Sequence, residues 1–375
     1  MLPPKQPQTV GSSAQFDPEA FLSSWNPDDA LPQNDDLRTS ISKAFQLPAS
    51  DKYVYRAVAA VTLEQVQQVI GFGGQHGLHG WYVDDEGKQI PPPPAADIAA
   101  YTSIFSPSTS TASALRALGS NAKKDTLRAA VAAHLQSHLH LSPATPTLSL
   151  SLPNKRKQPF ANPYYDYWAW SCRALEWSGP VPSTAATKIS HHVLPVFYLH
   201  FGCVVPTWDA VALMQQLAAH APPQPKPKGW PGRGVLEIGS GNGYWALLLR
   251  RAGLSVTAVD NLHSEWRTMW IGDTVYEDGI KYLKQNGGAR DKILLLVYPQ
   301  VGQDFTGRVL RAYEGDYIVV AGTQNHNGYT GFQTETIAEW MVREKKDYQH
   351  VAQVPLPSFA GKDEALFVFV RTRSA

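Results

Sequence analysis

The sequence predicts an α/β protein: a mostly parallel sheet in the C-terminal part, closed by an antiparallel strand pair and preceded by a mainly helical N-terminal region. Three observations lead there. From Gly232 onward, short apolar runs alternate with helical patterns, as in βαβ units whose sheet is buried on both faces. The glycine-rich turn Gly239-Ser-Gly241-Asn-Gly243 separates the first apolar run from the first helical pattern, where open α/β sheets bind ligands. The last two strand-like runs are joined only by Pro357 to Glu364, a connection too short for a helical crossover, so they pair antiparallel.

Residues 1 to about 50 are rich in Pro, Ser, Gln and Asp with little periodicity, and are expected to lie partly extended over the surface. Thr62 and Gln65 form a capping box before a helical face of Leu63, Val66, Val69 and Ile70. After the break at Pro91 to Pro94, Lys124 to Leu141 reads as a helix with Leu127, Ala130, Val131 and Leu135 on one side. Residues 142–159 read as a linker. The aromatic run Asn162 to Gly179 puts Trp168, Cys172 and Leu175 on one helical face, favouring a core helix over a substrate-stacking surface. Lys188 to Phe201 is helix-like, Thr207 caps the next helix, and the proline-rich stretch Ala221 to Pro231 ends it.

The strand signals follow in order. Gly234 to Ile238 and Ser255 to Val259 flank a helix over Tyr244 to Gly253, and further strands are expected at Trp270 to Glu277, Lys292 to Tyr298 and Asp316 to Ala321. Gln349 to Leu356 and Ala365 to Arg371 supply the terminal pair. A chain of 375 residues exceeds what one core usually serves, and the composition shift divides it into an N-terminal region, residues 1–158, and a second unit, 159–375, whose core is 204–375.

Composition removes several classes of function. Thirty-three Lys plus Arg against 32 Asp plus Glu give a formal charge of +1, so no global basic footprint supports nucleic acid as a partner. Two cysteines make neither a disulfide framework nor a paired-cysteine zinc site. The first residues, MLPPKQPQTVGSSAQFDPEAF, lack a signal-peptide pattern, and no run approaches the roughly 20 apolar residues of a membrane span. The expectation is a cytoplasmic or nuclear protein without a membrane partner; the basic triplet Lys155-Arg156-Lys157 is too short to choose between the two.

The tightest constellation is Glu237-Ile-Gly239-Ser-Gly241-Asn-Gly243-Tyr-Trp245. Its Gly-x-Gly-x-Gly spacing departs from the dinucleotide fingerprint, because Tyr244 stands where the third glycine would. Glu237, before the turn, would repel a pyrophosphate but suits a ligand ammonium, which favours S-adenosylmethionine over NAD. Asp260 ends the second strand, 260 − 241 = 19 residues after the middle glycine, and offers two acceptor oxygens to ribose hydroxyls. Asn261 lies beside it.

On these residues the chain resembles the class I S-adenosylmethionine-dependent methyltransferases, whose first motif is an acidic residue followed by Gly-x-Gly-x-Gly, here EIGSGNG. The resemblance spans about Val204 to Arg373 and includes Asp260 and the terminal strand pair. Its phrases GYWALLLRRAG and ILLLVYP look like those of poorly characterised methyltransferase-like proteins. It implies a Rossmann-like seven-stranded sheet of order 3-2-1-4-5-7-6 with strand 7 antiparallel, and adenine near Glu277 and Asp278. It also implies methyl transfer to an unidentified acceptor, a small molecule or a protein. The fourth strand ends Val297-Tyr298-Pro299-Gln300 rather than Asp/Asn-Pro-Pro-Tyr, which weakens methylation of nucleobase or glutamine nitrogen. That departure supports a second expectation, a catalytically inactive scaffold or interaction protein.

Two further residues are candidates for catalysis. Tyr298 ends the fourth strand beside the expected methyl group, and His326 sits in the loop TQNHNGYTG after the fifth, where a general base could lie. His191, His192 and His200 lack a carboxylate or cysteine at ligand spacing, so no metal site is expected.

Overall fold

The computed structural model describes residues 6–84, 86–142, 148–153, 160–220 and 232–372. The basic triplet Lys155-Arg156-Lys157, most of the 142–159 linker and the whole Ala221 to Pro231 connection lie outside the described residues. The principal sheet has eight strands: β1 (His140–Leu141), β2 (Gly234–Ile238), β3 (Val256–Asp260), β4 (Val275–Tyr276), β5 (Lys292–Val297), β6 (Tyr317–Thr323), β7 (Tyr348–Pro355) and β8 (Glu364–Arg371). Their order across the sheet is β1-β7-β8-β6-β5-β2-β3-β4. The neighbours from β4 through β6 pair parallel, and β8 runs antiparallel to both β6 and β7. Without β1, the other seven read 3-2-1-4-5-7-6 in chain order. The expected seven-strand count is exceeded because His140–Leu141, read from sequence as the end of a helix, pairs with Ala352 and Gln353 at the β7 edge.

The long apolar runs become strands because both of their faces are buried. Along β5, Ile293 and Leu295 join one core, while Leu294 and Leu296 join the other, the two-residue alternation of a pleated strand. Helices Gly279–Gln285, Phe305–Ala312 and Ile337–Glu344 contribute to the second core through Leu283, Leu310 and Trp340. The first face is covered by helices Tyr244–Arg251, Trp208–Ala219 and Val193–Phe201 together with the N-terminal region. One continuous cluster runs from Leu22 and Leu37 through Trp168 and Phe201 to Val368.

The first 50 residues correct the expectation of a partly extended segment. They carry helices Pro18–Ser23, Pro27–Ala30 and Leu37–Ala44, capped by Asp17, Asn26 and Asp36, and bury Leu22, Leu37, Ile41 and Phe45. Gln8–Thr9 pairs antiparallel with Thr268–Met269. The fully buried Arg267 fastens this region, binding Asp51 through Nη2 at 2.8 Å and through Nη1 at 3.2 Å, and donating from Nε to the Val10 carbonyl. The strand expected over Trp270 to Glu277 is shorter than expected: only Val275–Tyr276 joins the sheet, while Thr268–Met269, just before the expected range, pairs with the N-terminus.

Elsewhere the boundaries shift. Thr62 and Gln65 form the capping box of Leu63–Phe72. The helix expected from Lys124 starts at Leu127 behind its Thr126 cap and ends at His138, and Ala130 is exposed rather than on the buried side. The helix expected from Lys188 starts at Val193. In the aromatic run, Trp168, Cys172 and Leu175 are all buried, so this face of Pro163–Ala174 belongs to the core. Among the described residues, no helix is long and apolar enough to cross a membrane.

Candidate functional site

The glycine turn links the carboxyl end of β2 to helix Tyr244–Arg251. Gly241 has φ +56°, and a β-carbon there would lie 2.6 Å from the Trp266 ring; at Gly243, φ is +81° and Ile271 would lie at 2.3 Å. Left-handed backbone and lack of room therefore both require glycine at these positions. The indole of Trp266 lies over the turn, and its buried Nε1 has no hydrogen-bond partner among the described residues.

Two carboxylates flank the turn. Asp260, at the end of β3, accepts from the Gly241 N–H through Oδ2 at 2.9 Å and from the Leu262 N–H through Oδ1 at 2.6 Å. Each oxygen keeps a further acceptor position. Glu237, on β2, is 1 % exposed. Burial, reinforced by the nearby Asp260, pushes its carboxyl up to about 8, against the opposing effects of Arg250 and the Ala246 N–H. Its Oε2 has no hydrogen-bond partner among the described residues. Arg233 does not pair with it, being bound to Asp316 at 3.0 Å. Glu237 and Asp260 thus bring two acceptor groups to the ends of adjacent parallel strands.

The other sequence candidates fall into distinct settings. Asn261 is exposed, and its Oδ1 accepts from the His263 N–H. Glu277 pairs with Lys281 at 2.6 Å, and Asp278 caps Gly279–Gln285 by accepting from the Lys281 N–H. The Glu277 N–H donates to the Asp260 carbonyl, so all four residues cluster at the ends of β3 and β4. Tyr244 is fully buried, with its hydroxyl donating to Asn162 Oδ1 at 2.9 Å and its ring edge-on to Trp270 and Phe201. The Tyr244 ring thus braces the helix against the core.

Tyr298 follows β5 with φ +50°, a strained conformation for a non-glycine residue. Its N–H donates to the Ala321 carbonyl on β6, and burial, with Glu364 next, raises its hydroxyl well above the usual phenol range. His326 lies in the loop after β6. It is exposed, and its Nε2 is 3.0 Å from Glu339, which also forms the capping box of Ile337–Glu344. This places His326 in a solvated surface pair rather than at the expected general-base position.

Sequence reasoning missed the side chains that surround Tyr298. Lys362 and Glu364 are 1 % and 3 % exposed, and Tyr198 and Cys203 stand near them. Lys362 precedes β8 and Glu364 begins it, in the connection Pro357 to Glu364 that the sequence marks only as too short for a helical crossover. Gly202, next to Cys203, would place a β-carbon 3.7 Å from Asn242 Oδ1 in the glycine turn, and Asn242 Nδ2 donates to the His200 carbonyl. The segment 200–203 therefore connects the turn to the Tyr298 cluster. Among the described residues no group of three His, Cys, Asp or Glu side chains is placed to hold a metal.

No family model matches the chain and no curated protein matches it. Among solved structures it is similar to magnesium protoporphyrin IX methyltransferase from Synechocystis PCC 6803 with bound SAM. That match has 14% identity over 39% of this chain and 73% of the other, with a TM-score of 0.27. It is also similar to 1,6-didemethyltoxoflavin-N1-methyltransferase from Burkholderia thailandensis with bound 1,6-didemethyltoxoflavin and S-adenosylhomocysteine. There the identity is 15% over 38% of this chain and 72% of the other, with a TM-score of 0.24.

Proposed function

We propose that the protein binds S-adenosylmethionine at the ends of β2, β3 and β4 and transfers its methyl group to an acceptor. The observation that carries this reading is the buried Glu237, whose Oε2 lacks a partner beneath a glycine turn that Asp260 ties down. A ligand ammonium would give that oxygen a charge-assisted hydrogen bond. Ribose hydroxyls would use the remaining acceptor positions of Asp260, and the glycine backbone would admit the ligand closely. Glu277, Asp278 and Asn261 are the polar groups available to the adenine side. The cofactor supplies an electrophilic methyl group, so the protein's contribution is to align the acceptor and receive its proton. A soluble setting, cytoplasmic or nuclear, accords with the composition, and residues 1–158 would cover one face of the 159–375 unit.

A catalytically inactive methyltransferase-like scaffold is the second reading. The packing of Trp266 against Gly241 and the use of both Asp260 oxygens by loop amides favour it. Calorimetric titration with S-adenosylmethionine and S-adenosylhomocysteine separates the two, beside an Asp260→Ala variant and an NAD control. Saturable binding that the variant loses supports the enzyme; no binding to the intact protein supports the scaffold, and preference for NAD overturns both.

A further inference from the structure

The loop Lys362-Asp363-Glu364 is buried throughout, yet its three charges are treated differently. Asp363 is fully satisfied: Oδ2 meets His134 Nε2 at 2.9 Å and Asn325 Nδ2 at 3.3 Å, and Oδ1 accepts from Gln324 Nε2 at 2.6 Å. Gln353 Nε2 in turn donates to Gln324 Oε1. This network fixes the backbone that carries the neighbouring side chains. By contrast, Lys362 Nζ and Glu364 Oε2 have no hydrogen-bond partner among the described residues, and Lys362 rests over the Tyr329 ring at 3.1 Å. Burying a lysine and a carboxylate with hydrogen-bonding atoms left unused costs several kcal/mol. The two charges attract each other, yet hydrogen-bonding atoms of both stay unused, a pattern found where a ligand completes the pairing.

Their place in the fold tells what kind of ligand. Glu364 is opposite Thr323 at the carboxyl end of β6, and Tyr298, at the end of β5, lies within the field of Glu364, Cys203 and Tyr329. The rings of Tyr198, Tyr298 and Phe359 stand together, with centroids 5.9 Å apart for the tyrosines and 6.0 Å for Tyr198 and Phe359. Cys203, Tyr298 and Tyr329 are only half-buried, and Gly202 abuts the glycine turn. We infer that this cluster is the acceptor subsite of the methyl transfer proposed above, and that it takes an aromatic carboxylic acid whose ring bears an amino or hydroxyl nucleophile. The inference rests on that proposal. Lys362 binds the acid's carboxylate, the aromatic rings hold its plane, and Glu364 receives the proton.

The step balances without another reactant. The acceptor nitrogen or oxygen forms a bond to the methyl carbon as the carbon–sulfur bond breaks, and the bonding pair stays on sulfur to give the neutral thioether. The acceptor's proton passes to the Glu364 carboxylate. Burial raises Glu364 above the ordinary carboxylate range, so its ionised form is the stronger base and transfer should rise with pH as that form is populated.

The test uses the full chain saturated with S-adenosylhomocysteine and compares benzoate and 2-aminobenzoate with benzamide and 2-aminobenzamide by calorimetry. The acids are expected to bind about tenfold or more tightly than their amides, the scale of one charge-assisted contact. Lys362→Met should abolish that preference and Lys362→Arg should keep it, both with S-adenosylhomocysteine binding unchanged. Glu364→Gln should retain acid binding and lose transfer to 2-aminobenzoate from S-adenosylmethionine. Acids and amides that bind alike, or not at all, to the cofactor-loaded wild-type protein overturn the inference, whatever the variants do. Failure of S-adenosylhomocysteine itself to bind overturns the functional proposal instead.

Discussion

The backbone N–H of Gly241 donates to Asp260 Oδ2 at 2.9 Å, tying the turn after β2 to the end of the neighbouring strand. The same carboxylate accepts from the Leu262 N–H through its other oxygen, so a single side chain sets the shape of two loops. Asp260→Ala leaves both amides without their acceptor and is expected to destabilise the protein by about 1–3 kcal/mol. It should also weaken S-adenosylhomocysteine binding at least tenfold. Asp260→Asn keeps one carbonyl acceptor and should fall between. Denaturant titration and calorimetry of the two variants check the order.

Gly241→Ala forces a β-carbon into left-handed backbone at φ +56° and to within 2.6 Å of the Trp266 ring. The conformational cost alone is about 1–2 kcal/mol, and Trp266 must also move. The variant should have a lower Tm and a changed tryptophan emission, because the indole over the turn is displaced. An unchanged Tm and spectrum would show that Trp266 does not pack there.

Cofactor affinity should depend on pH through Glu237. With its carboxyl pushed up to about 8, Glu237 is largely protonated at pH 7, whereas a ligand ammonium binds its ionised form. Binding should therefore release a proton at pH 7, and affinity should rise with pH until about 8 and then level off. The unfolded chain holds Glu237 at an ordinary carboxylate value of roughly 4.3. The folded group binds its proton more tightly, so its contribution to stability is most favourable below that value and declines as pH rises toward about 8. Calorimetry in buffers of different ionisation enthalpy measures the release, and Glu237→Gln should abolish it.

Arg267 gives the N-terminal region a buried charged attachment to the sheet unit. Its guanidinium is fully buried, paired with Asp51 and stacked over Tyr53 at 4.1 Å. Asp51→Ala strands that charge and is expected to cost about 3–5 kcal/mol. By contrast, His326→Ala removes only an exposed pair with Glu339 and should change stability by less than about 1 kcal/mol. Thermal unfolding of the two variants gives the comparison.

The sheet was legible because its strands are continuous apolar runs such as Ile293 to Leu296, which only a doubly covered sheet accommodates. The turn was legible because glycine spacing and the flanking Glu237 and Asp260 are local features. What failed depends on contacts between distant parts of the chain. The pairing of Gln8–Thr9 with Thr268–Met269 has no local signal, although the helix caps at Asp17, Asn26 and Asp36 could have flagged the short N-terminal helices. Tyr244 follows the turn in sequence, but the helix rotates it into the core toward Asn162. Lys362 and Glu364 look like solvated charges until β8 is laid beside β6, which buries them next to Tyr298.

A crystal structure grown with S-adenosylhomocysteine tests the central claim most directly. The account predicts the ligand's amino group at Glu237, directly or through one water, and its ribose hydroxyls at Asp260, with the Trp266 indole moved to admit them. A ligand bound elsewhere, or a turn still covered by Trp266 at saturating ligand, would contradict it.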